Sequence, residues 1–300
     1  MAKRRCNPAS VPTLPVDEAA PCPLRYICSL KDPTGRGPSE AYIAEGLNAV
    51  LVLPGGLALA DGESNSVHLV SIDNVPQHIL DGFDKPCCLA YDPSSDTLFV
   101  GDRYGVHSLR LATHDRLATS DRGVDGKRLE PCDLCYHDGR LLAATGEEGV
   151  LVLNASSLRP IMDIGVAGGP GELLCAWSVA AADEQIYVAD SEADTVQVYG
   201  FGGEHRGTLV AATELNEVST VRVADGIVYV ADHMRLQSFP HGEACAGEAA
   251  GQQSLAQLDL KLHLHAEDGK LHRGVHGLWV EGKSAWMVSV DTVHELSVKL

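Results

Sequence analysis

The chain has 300 residues, 45% of them hydrophobic, 5% aromatic and 21% charged, with 30 glycines and 15 prolines. Its 41 acidic against 23 basic residues leave a net charge of −18, a field that repels phosphate backbones and argues against nucleic acid as a partner of the domain body. No apolar run reaches the roughly 18 residues that a spanning helix needs, so no membrane span is expected.

Along the chain, residues 1–23 come first. Lys3-Arg4-Arg5 is the one basic cluster, and Pro8, Pro12, Pro15, Pro21 and Pro23 follow it. That composition suits an extended arm, not a strand. It lacks the apolar centre of a secretory signal, and the prolines with Asp17-Glu18 count against a mitochondrial presequence. The nine cysteines, an odd number, form no recognisable disulfide framework. The expected setting is therefore a reducing, intracellular compartment, cytoplasmic first with mitochondrial as the alternative.

Residues 24–300 are expected to form one β domain. Leu24 to Leu30 alternates Leu24, Tyr26, Cys28 and Leu30 on one face and reads as a strand suited to closing a ring. Beyond it, short β-rich runs recur, ending at residues 61, 102, 145, 190, 232 and 291, with steps of 41, 43, 45, 42 and 59. An apolar run and a turn precede each one: Pro54-Gly55-Gly56, Asp92 to Asp96, His137-Asp138-Gly139, Ala180 to Glu184, Ala224-Asp225-Gly226 and Glu281-Gly282-Lys283. Pro, Asp and Gly at those places are hairpin chemistry, because they supply fixed or positive φ. A second turn and an alternating strand follow each run, as in Val106 to Leu111 and Thr195 to Tyr199. Four antiparallel strands every 40-odd residues define a propeller blade, so the expectation is an all-β, six-bladed β-propeller of four-stranded antiparallel blades.

The segment Ala176-Trp177-Ser178-Val179, Gln185 to Ser191 and Thr195 to Tyr199 resembles an NHL repeat, and Val221 to Asp232 and Gly277 to Val280 resemble it more weakly. Units of this kind cover residues 45 to 300. The resemblance implies a propeller and little about activity: such propellers include protein-binding modules, sugar lactonases and the lyase that amidates peptide hormones. In the enzymes, metal ligands come from one position in several blades around the channel mouth.

Aligning the inner strands on their apolar residues gives the column Asn48, Cys87, Cys132, Cys175, Ser219 and His276. Cys87, Cys132, Cys175 and His276 are a candidate zinc-ligand set of soft donors. Against it stands the simpler reading that small residues fit where strands converge and that free Cys behaves as a small buried hydrophobe. The enzymes' catalytic sets are not matched: only His276 stands where the lyases have histidines, and only Asn48 matches the lactonases' Glu, Asn and Asp. Cys132-Asp133-Leu134-Cys135 is a CxxC whose cysteines a strand would turn to opposite faces, so it reads as structural. His263 and His265 share a face of an expected strand over 258–265 and read as solvated alternation. The recurring Asp102, Asp190 and Asp232 read as turn caps.

The expected function is a non-catalytic protein–protein interaction scaffold, or a subunit of a larger assembly, without cofactor, whose acid excess favours a basic partner surface. The alternative is a metal-dependent hydrolase, lactonase or lyase with zinc at the propeller channel.

Overall fold

A computed structural model describes side chains for residues 47–71, 76–169, 171–212, 215–233, 235–242 and Leu278, and backbone alone for 24–30, 256–259, 277, 279–281, 284–289 and 292–298. The arm expected over residues 1–23, together with His263, His265 and His276, lies outside the described residues.

The described elements are all strands. The first, β1 (Leu24–Leu30), has the bounds expected from its alternation. The first contiguous blade is β2 (Leu47–Leu53), β3 (Gly56–Asp61), β4 (Ser66–Ser71) and β5 (Pro76–Leu80). The second is β6 (Cys88–Asp92), β7 (Thr97–Asp102), β8 (Gly105–Arg110) and β9 (Arg116–Ser120), and the third is β10 (Asp133–His137), β11 (Arg140–Ala144), β12 (Val150–Asn154) and β13 (Pro160–Ile164). The fourth is β14 (Ala176–Ala182), β15 (Gln185–Asp190), β16 (Thr195–Gly200) and β17 (His205–Val210). The fifth is β18 (Thr220–Ala224), β19 (Ile227–Ala231), β20 (Arg235–Pro240) and β21 (Ala256–Asp259).

These five sheets each use four consecutive strands. The last three strands, β22 (Gly277–Glu281), β23 (Ser284–Ser289) and β24 (Thr292–Val298), do not make a four-stranded unit by themselves. Their fourth strand is β1, which pairs antiparallel with β24 from Leu24↔Val298 to Leu30↔Val293. The innermost strands β2, β6, β10, β14, β18 and β22 neighbour one another in that order, and β22 returns to β2. Closure by the two ends of the chain is a β-propeller's way of removing sheet edges. One irregularity departs from strict alternation: a bulge lies between Tyr26 and Cys28 of β1.

Local chemistry explains the turns. Asp138 (φ 44°) and Asp225 (φ 50°) are followed by Gly139 and Gly226, both at φ 75°. The flanking pairs His137↔Arg140 and Ala224↔Ile227 leave two-residue loops. Two successive left-handed residues match the twist of the strands they join, and Asp-Gly adopts them at low cost. In the fourth blade the two-residue loop between Ala182 and Gln185 has one left-handed residue, Asp183 (φ 48°).

The core lies between blades. One cluster joins Leu51, Ala58 and Val67 of the first blade to Leu89, Leu98 and Leu109 of the second. Another joins Phe99 and Val106 of the second to Leu141 and Leu151 of the third. The pattern continues into the fourth and fifth blades. A single twisted sheet has nothing to bury its faces against; its neighbours in the ring supply that surface.

The repeated aspartates cap turns, as the sequence reading has them. Asp61 Oδ1 accepts the amides of Glu63 (3.0 Å) and Ser64 (3.1 Å). Asp102 accepts the Tyr104 amide at 2.8 Å and the Asp84 amide at 3.1 Å. Asp190 accepts Leu174, Cys175 and Ala193 amides at 2.8, 3.0 and 3.1 Å. Asp232 accepts the Arg235 amide at 2.7 Å. In the second and fourth blades the carboxylate thus ties the turn after the second strand to the loop that enters the blade. The third blade has Thr145 there, whose hydroxyl donates to the Gly149 carbonyl at 2.8 Å.

Asp102 also meets His107 Nε2 at 2.9 Å. Burial pushes its carboxyl pKa up, but the His107 contact and the two amides outweigh burial and hold it below the usual value. A carboxylate depressed in the folded state adds stability that is present above its unfolded pKa of about 4 and is lost as pH falls through the folded value. Unfolding free energy should therefore drop less steeply below pH 4 in Asp102→Asn than in the parent. Parallel pH-dependent denaturation curves for the two would contradict this.

Candidate functional site at the channel mouth

Backbone pairing sets the levels around the channel. The inner-strand residues Cys88, Asp133, Ser178 and Thr220 pair with Gly101, Ala144, Ala189 and Ala231. Ala49 pairs with Ala60 at the same level. One residue upstream lie Asn48, Cys87, Cys132 and Ser219, four members of the expected column. Cys87, Cys132 and Ser219 donate their amides to Gly101, Ala144 and Ala231 at 2.9, 2.8 and 3.0 Å.

In the fourth blade the residue at this level is Trp177, not Cys175. The register shifts between Ala176 and Ser178, leaving Trp177 as the extra residue of a bulge and 46% exposed. Asn48 is the corresponding bulge residue of the first blade. Cys175 sits two positions earlier, with its amide on Asp190. A slip of two residues keeps every side chain on its face, so apolar patterning alone does not detect it.

The column has a structural occupation in two blades. Asn48 Nδ2 donates to the Pro86 carbonyl of the second blade's entry at 3.1 Å. Cys87 Sγ reaches the Pro131 carbonyl of the third blade's entry at 3.1 Å. Each side chain reaches the carbonyl just ahead of the next blade's member of the column. Close approach is needed here: a Cβ on Gly101 would stand 2.3 Å from Cys88 Sγ and 2.9 Å from Pro131.

The thiols are free. Burial, then the Cys87 and Cys175 thiols, push the Cys132 pKa up to about 12, so Cys132 is protonated at neutral pH. Burial likewise raises Cys135 to about 11. Cys135 packs on the cluster between the third and fourth blades, as a CxxC in a strand requires. Among the described residues, no three His, Cys, Asp or Glu side chains are grouped to hold a metal ion. His276, the remaining member of the expected ligand set, lies outside the described residues.

A polar network that the sequence reading did not single out lies one level further in. Asp133 of β10 receives Arg222 of β18 on both oxygens, Nη1 to Oδ2 at 2.7 Å and Nη2 to Oδ1 at 2.9 Å. The Ser178 hydroxyl donates to Oδ2 at 2.5 Å, and the Val179 and Leu134 amides add contacts at 3.1 and 2.9 Å. Arg222 also donates from Nε to the Leu278 carbonyl at 2.7 Å and from Nη1 to the Val221 carbonyl at 2.8 Å. The two charged side chains are 16% and 9% exposed. Burial disfavours the guanidinium charge, but Asp133 outweighs it, and the Arg222 pKa is raised. Four sheets are tied at one point, and each charge is consumed by the other. The signal in the sequence was a charged residue inside an otherwise apolar inner strand, Val221-Arg222-Val223.

Fold and channel together define a β-propeller of four-stranded antiparallel blades. No protein-family model and no curated protein sequence matches the chain. Among solved structures, it is similar to the WD40 β-propeller domain of Doa1, with a TM-score of 0.59 and 13% identity over 91% of this chain and 97% of that one. A chain of the Mitotic Checkpoint Complex gives a TM-score of 0.60 at 13% identity, covering 85% and 75%. The computationally designed protein Ika8 gives 0.54 at 13%, covering 84% and 83%. At this identity the likeness is one of fold. Among the described residues no helix is long and apolar enough to cross a membrane.

Proposed function

We propose that this propeller is a non-catalytic protein-binding scaffold or a subunit of a larger intracellular assembly. The observation that carries this reading is the use made of polar groups around the channel. Asn48 and Cys87 hold neighbouring blades, and Asp133, Ser178 and Arg222 satisfy one another. A catalytic site needs groups aimed at a reacting atom, and these are aimed at each other. The surfaces left for recognition are the two faces and the rim, where a net charge of −18 favours a basic partner. One structurally similar chain carries the name of a multi-protein complex, which is in keeping with this use of the fold.

In the same reading the composite sheet of β1 with β22, β23 and β24 counts as a sixth blade, and residues 24–300 form one propeller behind an arm of residues 1–23. Kinship with NHL-repeat proteins rests on the Ala176 to Tyr199 motif.

The test compares variants of the full chain. Changing Cys87, Cys132 and Cys175 together to Ser should leave capture of a crosslinked native partner intact and the purified protein free of stoichiometric zinc. Charge reversal of acids on one face should weaken capture, more so at low salt. Stoichiometric zinc lost in the triple Ser variant, together with a hydrolytic or lyase turnover, would replace the scaffold by the metalloenzyme.

A further inference from the structure

Building on the scaffold reading, we propose that the groove between the second and third blades docks a linear peptide segment carrying lysine or arginine beside apolar side chains. The groove holds about 720 Å³. It is framed by the 121–130 loop, the Thr145–Gly149 turn of the third blade and the end of β13. Leu129 and Leu151, each 2% exposed, form its floor, and Val166, 43% exposed, stands at its side.

Charge decides the occupant. Asp125, Glu130, Glu147, Glu148 and Asp163 line the groove against two cations, Lys127 and Arg128. Both cations are already engaged. Lys127 Nζ lies 2.7 Å from both Glu148 oxygens and 3.4 Å from Asp125. The Arg128 guanidinium is 3.5 Å from Glu130 and 4.4 Å above the Tyr104 ring. Glu147 and Asp163 have no ion pair with a described residue. Asp163 is half-buried, and burial followed by the charges of Asp125 and Glu148 raises its carboxyl pKa. An incoming ammonium or guanidinium relieves that repulsion where water only screens it.

Two exposed aromatic residues are connected to the residues that line the groove. Tyr104, 52% exposed, lies under Arg128. Gly146, next to the lining residue Glu147, exchanges backbone hydrogen bonds with Ala176 at 3.0 and 2.9 Å, and the exposed Trp177 follows Ala176 in the chain. Trp, Tyr and Arg are the residue types that dominate binding energy at protein interfaces. The hollow on the opposite face is a weaker candidate, because its Asp92 carboxylate is bent back onto Ser94 and Ser95 of its own turn.

The probe is a fluorescein-labelled set of dodecapeptides with three Lys or Arg interleaved with Leu or Ile, and a matched set with Glu at the basic positions. Fluorescence anisotropy with the full chain should show binding of the basic set only. Glu147→Lys with Asp163→Lys should weaken it at least about tenfold, with an unchanged melting curve reporting an intact fold. Glu184→Lys with Asp115→Lys, on the opposite face, should bind as the parent does. Equal binding of the two peptide sets, no binding of either, or full binding by the groove variant each overturns the groove. If the opposite-face variant alone loses a crosslinked native partner, the groove falls while the scaffold reading stands.

Discussion

Replacing Arg222 by Met should destabilise the protein by about 3–5 kcal/mol, one of the largest effects expected from a single polar substitution. The change leaves the Asp133 carboxylate, 6% exposed, without a counter-charge and removes a charged donor from the Val221 and Leu278 carbonyls. Asp133→Asn should cost a similar amount, because a mostly buried guanidinium then faces a neutral amide whose NH₂ offers no acceptor. Asp133→Asn with Arg222→Met should cost less than the sum of the two, and equilibrium denaturation of all four proteins yields the coupling. A pair so shielded is only weakly screened, so the coupling should persist at high salt. Additive single effects, or a coupling that salt abolishes, would mean that the two charges are solvated and that the blades are held by apolar packing alone.

Asp190→Ala should be the second large effect, about 3 kcal/mol or more. Asp190 is 1% exposed, and its carboxylate receives three amides, two of them in the loop entering its own blade. Each buried amide left without a partner costs about 1–3 kcal/mol, and alanine supplies none. Asp190→Asn keeps one acceptor oxygen and should recover about half of the loss. Asp121→Ala, an exposed carboxylate on the same face, should stay within about 0.5 kcal/mol. If Asp190→Ala unfolds at the same denaturant concentration as Asp121→Ala, the caps follow the turns and do not hold them.

Particular residues show how far the chain can be read alone. The Leu24 to Leu30 alternation marked a strand with the observed bounds, since a period of two over seven residues suits only a pleated sheet. Asp-Gly at 138–139 and 225–226 marked hairpins because few other residue pairs tolerate two positive φ angles in succession. Asp102, Asp190 and Asp232 were legible as caps from recurrence at the end of like runs. The candidate column was legible in part: Asn48, Cys87, Cys132 and Ser219 do share a level, while Trp177 displaced Cys175.

The sequence by itself determined the strands, their turns, the repeat length and the all-β class, because each depends on residues a few positions apart. Tertiary structure alone decided what meets across the ring. Asp133 and Arg222 are 89 residues apart and come together because closure brings their inner strands to one axis. The bulge that lifts Trp177 out of register exists only against the partner strand. The acidic groove forms where a loop, a turn and a strand end from two blades converge. Local periodicity encodes each blade; the angle at which one twisted sheet packs on the next sets the distances between blades, and no short-range pattern carries that information.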